Sequence, residues 1–110
     1  MTTQNNNQTE GINPVELANE FGTPLYVYNA EKITEQYNSM KDAFNQTNVR
    51  LNFACKALTN INILKHLKDL GAGLDAVSIQ EVWLGLKAGL IPKIFCLRQT
   101  VFPSRKLNWP

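Results

Sequence analysis

VRLNFACKALTN, residues 49 to 60, contains an apolar run that ends in a lysine. The run from Leu51 to Cys55 has the composition of a buried strand, and Lys56 follows it directly, shortly before a helix begins. In a parallel α/β protein this position is the carboxyl end of a strand, where ligands bind. Most lysines at strand ends are solvated surface charges, so position alone assigns no function to Lys56. Whether Lys56 has a functional role therefore has to be judged from the neighbouring segments.

The size and composition are those of one small globular domain. The chain has 110 residues, 44% of them hydrophobic and 18% charged, with a net charge of +2 and no basic cluster, which does not favour nucleic-acid binding. Residues 1–11, MTTQNNNQTEG, lack the apolar core of a signal peptide, and no apolar run of ~18 residues could span a membrane. We expect a disordered lead-in, no membrane contact and a cytoplasmic location.

The two cysteines and the single histidine do not suggest a metal site. Cys55 and Cys96 lie in apolar runs without CxxC spacing, and we expect both to be buried free thiols. His66 has no partner at the spacing of metal ligands, so we interpret it as a surface residue or a packing residue of a helix.

Four predicted helices alternate with four predicted strands. Each helix begins at a capping residue, and glycines close the first and the last. The predicted helices are 14–21 after Asn13, 30–44 after Asn29, 61–70 after Thr59 or Asn60, and 79–88 after Ser78. The predicted strands are 25–28, 51–55, 74–77 and 94–97. This alternation predicts parallel strands joined by helical crossovers.

The pattern leaves a doubly wound sheet and a barrel as alternatives. A dinucleotide-binding sheet needs Gly-x-Gly-x-x-Gly between a strand and a helix. Gly71 and Gly73 precede their strand and have no third glycine, so this motif is absent. A Walker loop and a Gly-x-Ser-x-Gly elbow are absent as well.

Three segments resemble the start of the diaminopimelate decarboxylase family. They are FGTPLYVYNAEKI (residues 21–33), NVRLNFACKALTN (48–60) and GAGLDAVSIQEVWLGLKAG (71–89). The family belongs to the pyridoxal-phosphate-dependent, alanine-racemase-like group, which also includes ornithine and arginine decarboxylases. The resemblance implies an α/β chain that forms about four βα units, the first part of a pyridoxal-phosphate-binding (β/α)8 TIM barrel. It also implies decarboxylation of meso-2,6-diaminopimelate to L-lysine by a parent enzyme that is a homodimer.

The resemblance also implies roles for four residues. Lys56 would hold pyridoxal 5'-phosphate as a Schiff base, Asp75 would lie near the cofactor, and Ala54 would pack against its ring. Glu81 matches a Glu close to the lysine and would act in catalysis, although its spacing from Ser78 equally fits a capping box. Asp75 could instead cap or pair with a neighbour. Among the apolar residues, we expect Leu25, Val27, Phe53 and Val77 to face the barrel interior.

The sequence departs from the family after residue 95. The chain has Lys56-Ala-Leu and Ser78-Ile-Gln-Glu where the family commonly has Lys-Ala-Asn and Ser-Gly-Gly-Glu, and its tail, CLRQTVFPSRKLNWP, does not match. Codons for residues 97–110 can be chosen that read TPNCVSFEEIELA in another frame, which resembles the family. We therefore infer a frameshift near codons 95–97, in the gene or in its sequencing, and divide the chain into a lead-in (1–11), a partial barrel domain (12–95) and a non-family tail (96–110).

Three functions remain open on the sequence alone. In the first, the parent is a decarboxylase that acts on diaminopimelate, or alternatively on ornithine or arginine. In the second, the parent is a barrel protein that binds pyridoxal phosphate without catalysing decarboxylation. The third reading is that the 110-residue chain is an inactive fragment of the enzyme, since the later elements of the active site are missing from it.

Overall fold

The computed structural model describes residues 12–97, and for Leu97 it describes only the backbone; the proposed lead-in and most of the proposed tail lie outside this range. Within it, two α-helices come first, and three β-strands then alternate with two further α-helices; two short 3-10 turns lie at Cys55–Ala57 and Pro92–Ile94. The elements are α1 (Pro14–Phe21), α2 (Ala30–Ala43), β1 (Asn52–Ala54), α3 (Ile61–Asp69), β2 (Gly73–Ala76), α4 (Ile79–Lys87) and β3 (Phe95–Leu97).

Each helix begins at a side chain that accepts a backbone hydrogen bond from its first turn, as the sequence predicts. The four caps are Asn13, Asn29, Asn60 and Ser78. Of the two candidates at the start of α3, Asn60 is the cap: its Oδ1 accepts from the backbone N of Asn62 at 2.9 Å and of Ile63 at 3.4 Å.

The three strands form one parallel sheet in the order β1-β2-β3, which confirms the predicted parallel α/β class. Two rows of paired residues cross this sheet. Phe53, Leu74 and Phe95 form one row, and Ala54, Asp75 and Cys96 form the next, called here the 54–75–96 row. Because successive residues of a strand point to opposite faces, the two rows face opposite sides.

The core lies between the sheet and helices α3 and α4. Leu64, Leu74 and Cys55 are its largest fully buried side chains. Helix α4 comes very close to the sheet at Gly85: a Cβ there would lie 2.5 Å from Leu74 Cδ2 and 3.0 Å from Phe95 Cζ. The Phe53–Leu74–Phe95 row therefore faces the helices, and the 54–75–96 row faces away from α4.

The predicted strand at 25–28 is wrong. The segment from Leu25 to Tyr28 has no strand structure, and its side chains are 40 to 84% exposed. Its aromatic and β-branched residues favour extended backbone, but a strand also requires a partner ladder, and the three-stranded sheet does not extend to this segment. Leu25 and Val27 consequently face no barrel interior in this structure.

Two further orientations differ from the sequence analysis. Phe53 packs against the core on the helix side, not on the opposite face. Cys96 is exposed, whereas Cys55 is fully buried as predicted, and both thiols are free. Both errors have one cause: in a strand with apolar residues on both faces, alternation alone does not identify the face that packs against helices.

Helix α2 is held to α3 through His66, in the packing role that was one of the two predicted for it. Its Nε2 lies 2.8 Å from Thr34 Oγ1 and 3.2 Å from the carbonyl oxygen of Ala30. Beyond this contact, the apolar side chains near the end of α2 are only partly covered, since Met40 and Phe44 are about half exposed.

Candidate functional site

Lys56 lies at the carboxyl end of β1, the position that the sequence predicts. The strand ends at Ala54 and continues into the 3-10 turn Cys55–Ala57, which the backbone N of Leu58 closes by donating to the carbonyl oxygen of Cys55 at 3.1 Å. Within this turn Cys55 points into the core, while Lys56 is exposed. The turn thus anchors one residue and presents the next, a primary amine, to solvent.

Asp75 and Ala54 lie side by side at the same end of the sheet. They are register partners on β2 and β1, so their side chains share the face turned away from α4. Asp75 is half-buried, and its Oδ1 is shielded from solvent. A carboxylate and a methyl group therefore lie next to each other on the face beside the Lys56 turn.

Glu81 is buried at the start of α4, with only 9% of the residue exposed. Its Oε2 accepts a hydrogen bond from the backbone N of Val77 at 2.8 Å, and its own backbone N donates to Ser78 Oγ at 3.3 Å. This is the predicted capping box with one change, because the carboxylate bonds the residue before the cap instead of the cap itself. The geometry explains Glu81 as a residue that fastens the β2–α4 loop to the helix.

The Glu81 carboxylate also contributes to the pKa of the Cys55 thiol. Burial, and secondarily the negative charge of Glu81, raises the pKa of the Cys55 thiol above its ordinary value. The charge of Glu81 therefore influences the residue that precedes Lys56 in the chain.

Ala54, Lys56 and Asp75 are all brought to one end of the sheet, and Glu81 is buried at the start of α4, which follows β2. Sequence reasoning missed Cys96 as a neighbour of this site. The exposed Cys96 is the register partner of Asp75 on β3 and completes the 54–75–96 row. Spacing contained the signal: Ala54 to Asp75 and Asp75 to Cys96 are equal separations in a chain of repeating βα units.

This donor set fits a carbonyl cofactor and does not resemble a metal centre. An exposed primary amine is the group that bonds to an aldehyde, and the small side chain of Ala54 leaves room on the adjacent face. No group of three or more His, Cys, Asp or Glu side chains within residues 12–97 could hold a metal ion. None of the helices in this range is long and apolar enough to cross a membrane.

A protein-family model matches most of the chain. The family model described as "Pyridoxal-dependent decarboxylase, pyridoxal binding domain" matches residues 30–103, about two thirds of the chain. The match begins at Ala30, the first residue of α2, and extends past residue 95.

Curated relatives give the same picture. Diaminopimelate decarboxylase of Methanothermobacter thermautotrophicus is 43% identical over 84 residues, which are 74% of this chain and 20% of the relative. The protein of the same name from Aquifex aeolicus is also 43% identical over 84 residues, covering 76% of this chain and 20% of that protein. The chain thus spans about a fifth of the length of these relatives.

A solved structure resembles the fold itself. A crystal structure of an Aquifex aeolicus protein superposes with a TM-score of 0.71 at 42% sequence identity, and covers 77% of this chain and 21% of that one.

Proposed function

The chain belongs to the pyridoxal-dependent decarboxylase family, through its pyridoxal-binding domain, and from this premise we propose that it is the first part of a diaminopimelate decarboxylase. The parent would convert meso-2,6-diaminopimelate to L-lysine with pyridoxal 5'-phosphate. The observation that carries the proposal is Lys56: an exposed amine at the carboxyl end of a parallel strand, in a chain 43% identical to proteins of that name.

Lys56 would hold the cofactor covalently through its Nζ. An amine attacks an aldehyde only after losing its proton, which lysine can do in a partly desolvated site and arginine cannot. Ala54 would lie against the cofactor ring as packing, and Asp75 would place a negative charge beside it. Pyridoxal phosphate, when bound, supplies an electron sink for the charge left by loss of a carboxylate.

Glu81 takes a positioning role in this proposal instead of the catalytic one that the resemblance implies. Its carboxylate already accepts the Val77 N–H, and the residue is buried. By holding the loop after β2 against α4, it would fix the end of the strand that carries Asp75.

The test uses the gene with its reading frame restored beyond codon 95. The purified protein is treated with pyridoxal phosphate and borohydride, digested, and analysed for the modified peptide by mass spectrometry; lysine formation from meso-diaminopimelate is assayed separately. We expect the label on Lys56 and no decarboxylation by Lys56→Ala, whereas Lys65→Ala, which removes an exposed lysine on α3, keeps both. A reducible adduct that persists in Lys56→Ala would contradict the assignment.

Substrate class is tested with the same protein. We expect L-lysine from meso-diaminopimelate as the main product. Putrescine from ornithine, or agmatine from arginine, would place the parent in a neighbouring branch of the group.

The division of the chain remains our proposal. We propose residues 1–11 as a lead-in, 12–95 as part of the barrel, and 96–110 as a frameshifted tail of a parent that is a cytoplasmic homodimer. Sequencing of the locus across codons 95–97 tests the frameshift: an unchanged reading frame in independent reads would contradict a sequencing error, and a family-like continuation in the shifted frame would support it.

A further inference from the structure

An open pocket of about 350 Å³ lies at the amino end of the sheet, the end opposite Lys56. Helix α2 contributes Tyr37 and Lys41, the loop before β1 contributes Asn48 and Arg50, and the turn before β2 contributes Gly71. Its volume falls in the range of small-molecule sites, roughly 300–1,000 Å³. Neither the proposed cofactor nor the proposed substrate accounts for it.

Among the described residues, the side chains that line the pocket carry a net positive charge. Lys41 and Arg50 both line the pocket, no acidic residue does, and within residues 12–97 neither cation forms an ion pair. Elsewhere on α2 the structure pairs a lysine with a carboxylate, Lys32 Nζ to Glu35 Oε2 at 2.8 Å. Two cations that have no acidic partner in that range and lie at one concavity attract an anion from solution.

Polar groups and an open floor accompany these charges. The Tyr37 hydroxyl forms no hydrogen bond within the described residues, so it is available to a ligand. A Cβ at Gly71 would lie 3.8 Å from Tyr37 Oη, and its φ of +93° disfavours any residue with a side chain. Glycine at this lining position therefore places no side chain against the Tyr37 hydroxyl.

We propose that this pocket binds a small dianion, either inorganic phosphate or a dicarboxylate. The Arg50 guanidinium can meet two oxygens of such a ligand with its planar fork, and Lys41 supplies a second, point-like charge. The Tyr37 hydroxyl and the Asn48 amide add neutral donors. The proposal is independent of the decarboxylase assignment, since it uses no residue of the Lys56 site.

Isothermal titration calorimetry on the frame-restored protein, loaded with pyridoxal phosphate, tests the proposal, with sodium phosphate and sodium succinate as probes at an ionic strength held constant with sodium chloride; the pocket variants separate binding here from binding at the Lys56 site. We expect saturable binding of one dianion per chain. Binding of both probes identifies charge as the shared requirement, and binding of one identifies the phosphate or the dicarboxylate as the ligand class. Lys41→Gln and Arg50→Gln should each weaken binding and raise the dissociation constant by about tenfold or more.

Two variants separate a built site from general surface charge. Lys65→Gln removes the same charge from an exposed position on α3 that does not line the pocket, and it should leave affinity unchanged. Tyr37→Phe keeps the ring and all charges, and should weaken binding severalfold without altering the far-ultraviolet circular dichroism. Absence of saturable binding, or an equal loss in Lys65→Gln, overturns the proposal. Because Tyr37→Phe leaves the charges in place, it decides the matter even if an arginine or lysine variant fails to fold.

Discussion

At the scale of single residues, the Cys55 thiol links stability to pH. Its pKa is raised in the folded chain by burial and by Glu81, whereas an unfolded chain ionises this thiol near the ordinary value of 9.0. The folded state therefore holds the proton more tightly. Its contribution to stability is complete below pH 9.0 and is lost as pH rises toward the folded pKa.

We predict that Cys55→Ala reduces the loss of unfolding free energy between pH 7 and about pH 10. Urea unfolding in the presence of a reductant, followed by circular dichroism at both pH values, measures this change. Cys96→Ala is the matched control, because it removes an exposed thiol and should retain the wild-type dependence. Equal pH dependence in wild type and Cys55→Ala would contradict the linkage.

The residues of the site differ in how far the sequence predicts them. The position of Lys56 follows from an apolar run that ends in a polar capping segment, and the Glu81 contact follows from its three-residue spacing from Ser78. The sequence does not predict which face of the sheet Phe53 lies on. A strand with apolar residues on both faces does not indicate which face a helix will cover. The role of Asp75 stays a prediction, as do those of Ala54 and Lys56.

At the scale of the element, helix α3 depends on one cap. Asn60 Oδ1 accepts bonds from two backbone N–H groups that have no partner within the helix. We predict that Asn60→Ala lowers the free energy of unfolding by about 1 kcal/mol. Asn62→Ala, in the exposed first turn of the same helix, is the control and should be neutral or slightly stabilising, since alanine favours helix. Chemical denaturation compares the two, and equal losses would argue against capping.

Helix α4 depends on the absence of a side chain at Gly85. In most exposed helices Gly→Ala stabilises by about 1 kcal/mol. Here the new methyl group would overlap Leu74 and Phe95, so we predict that Gly85→Ala instead destabilises the fold by about 1–3 kcal/mol. Gln80→Ala, at an exposed site of the same helix, provides the reference for propensity alone. A stabilised Gly85→Ala would mean that the helix shifts away from the sheet at little cost.

Elements were predicted best where their signals are local. The four helices follow from caps and periodicity, which depend on residues within one or two turns. The segment 25–28 failed because its composition reports a preference for extended backbone, while strand formation depends on a partner elsewhere. Three strands with neighbours formed, and the one without a neighbour did not.

At the scale of the whole molecule, apolar surface remains uncovered. Tyr26, Phe21 and Trp83 are 84%, 65% and 55% exposed, and the three-stranded sheet does not close on itself. Such surface, together with open sheet edges, favours association. We predict that the 110-residue chain, expressed alone, is oligomeric or poorly soluble and releases no carbon dioxide from diaminopimelate with added cofactor. Analytical ultracentrifugation and a carbon dioxide assay measure the two parts; a monomer with turnover would contradict both.

The strand order has a consequence for how the chain acquires its structure. Each strand pairs with the one made just before it, and Phe53 to Leu74 spans the same length of chain as Leu74 to Phe95. Connections of this length cost little entropy to close, and each pairing in the described sheet joins strands that are consecutive in the chain. The sheet can therefore form one βα unit at a time, because the pairing of β1 with β2 beside the Lys56 turn requires no residue of β3.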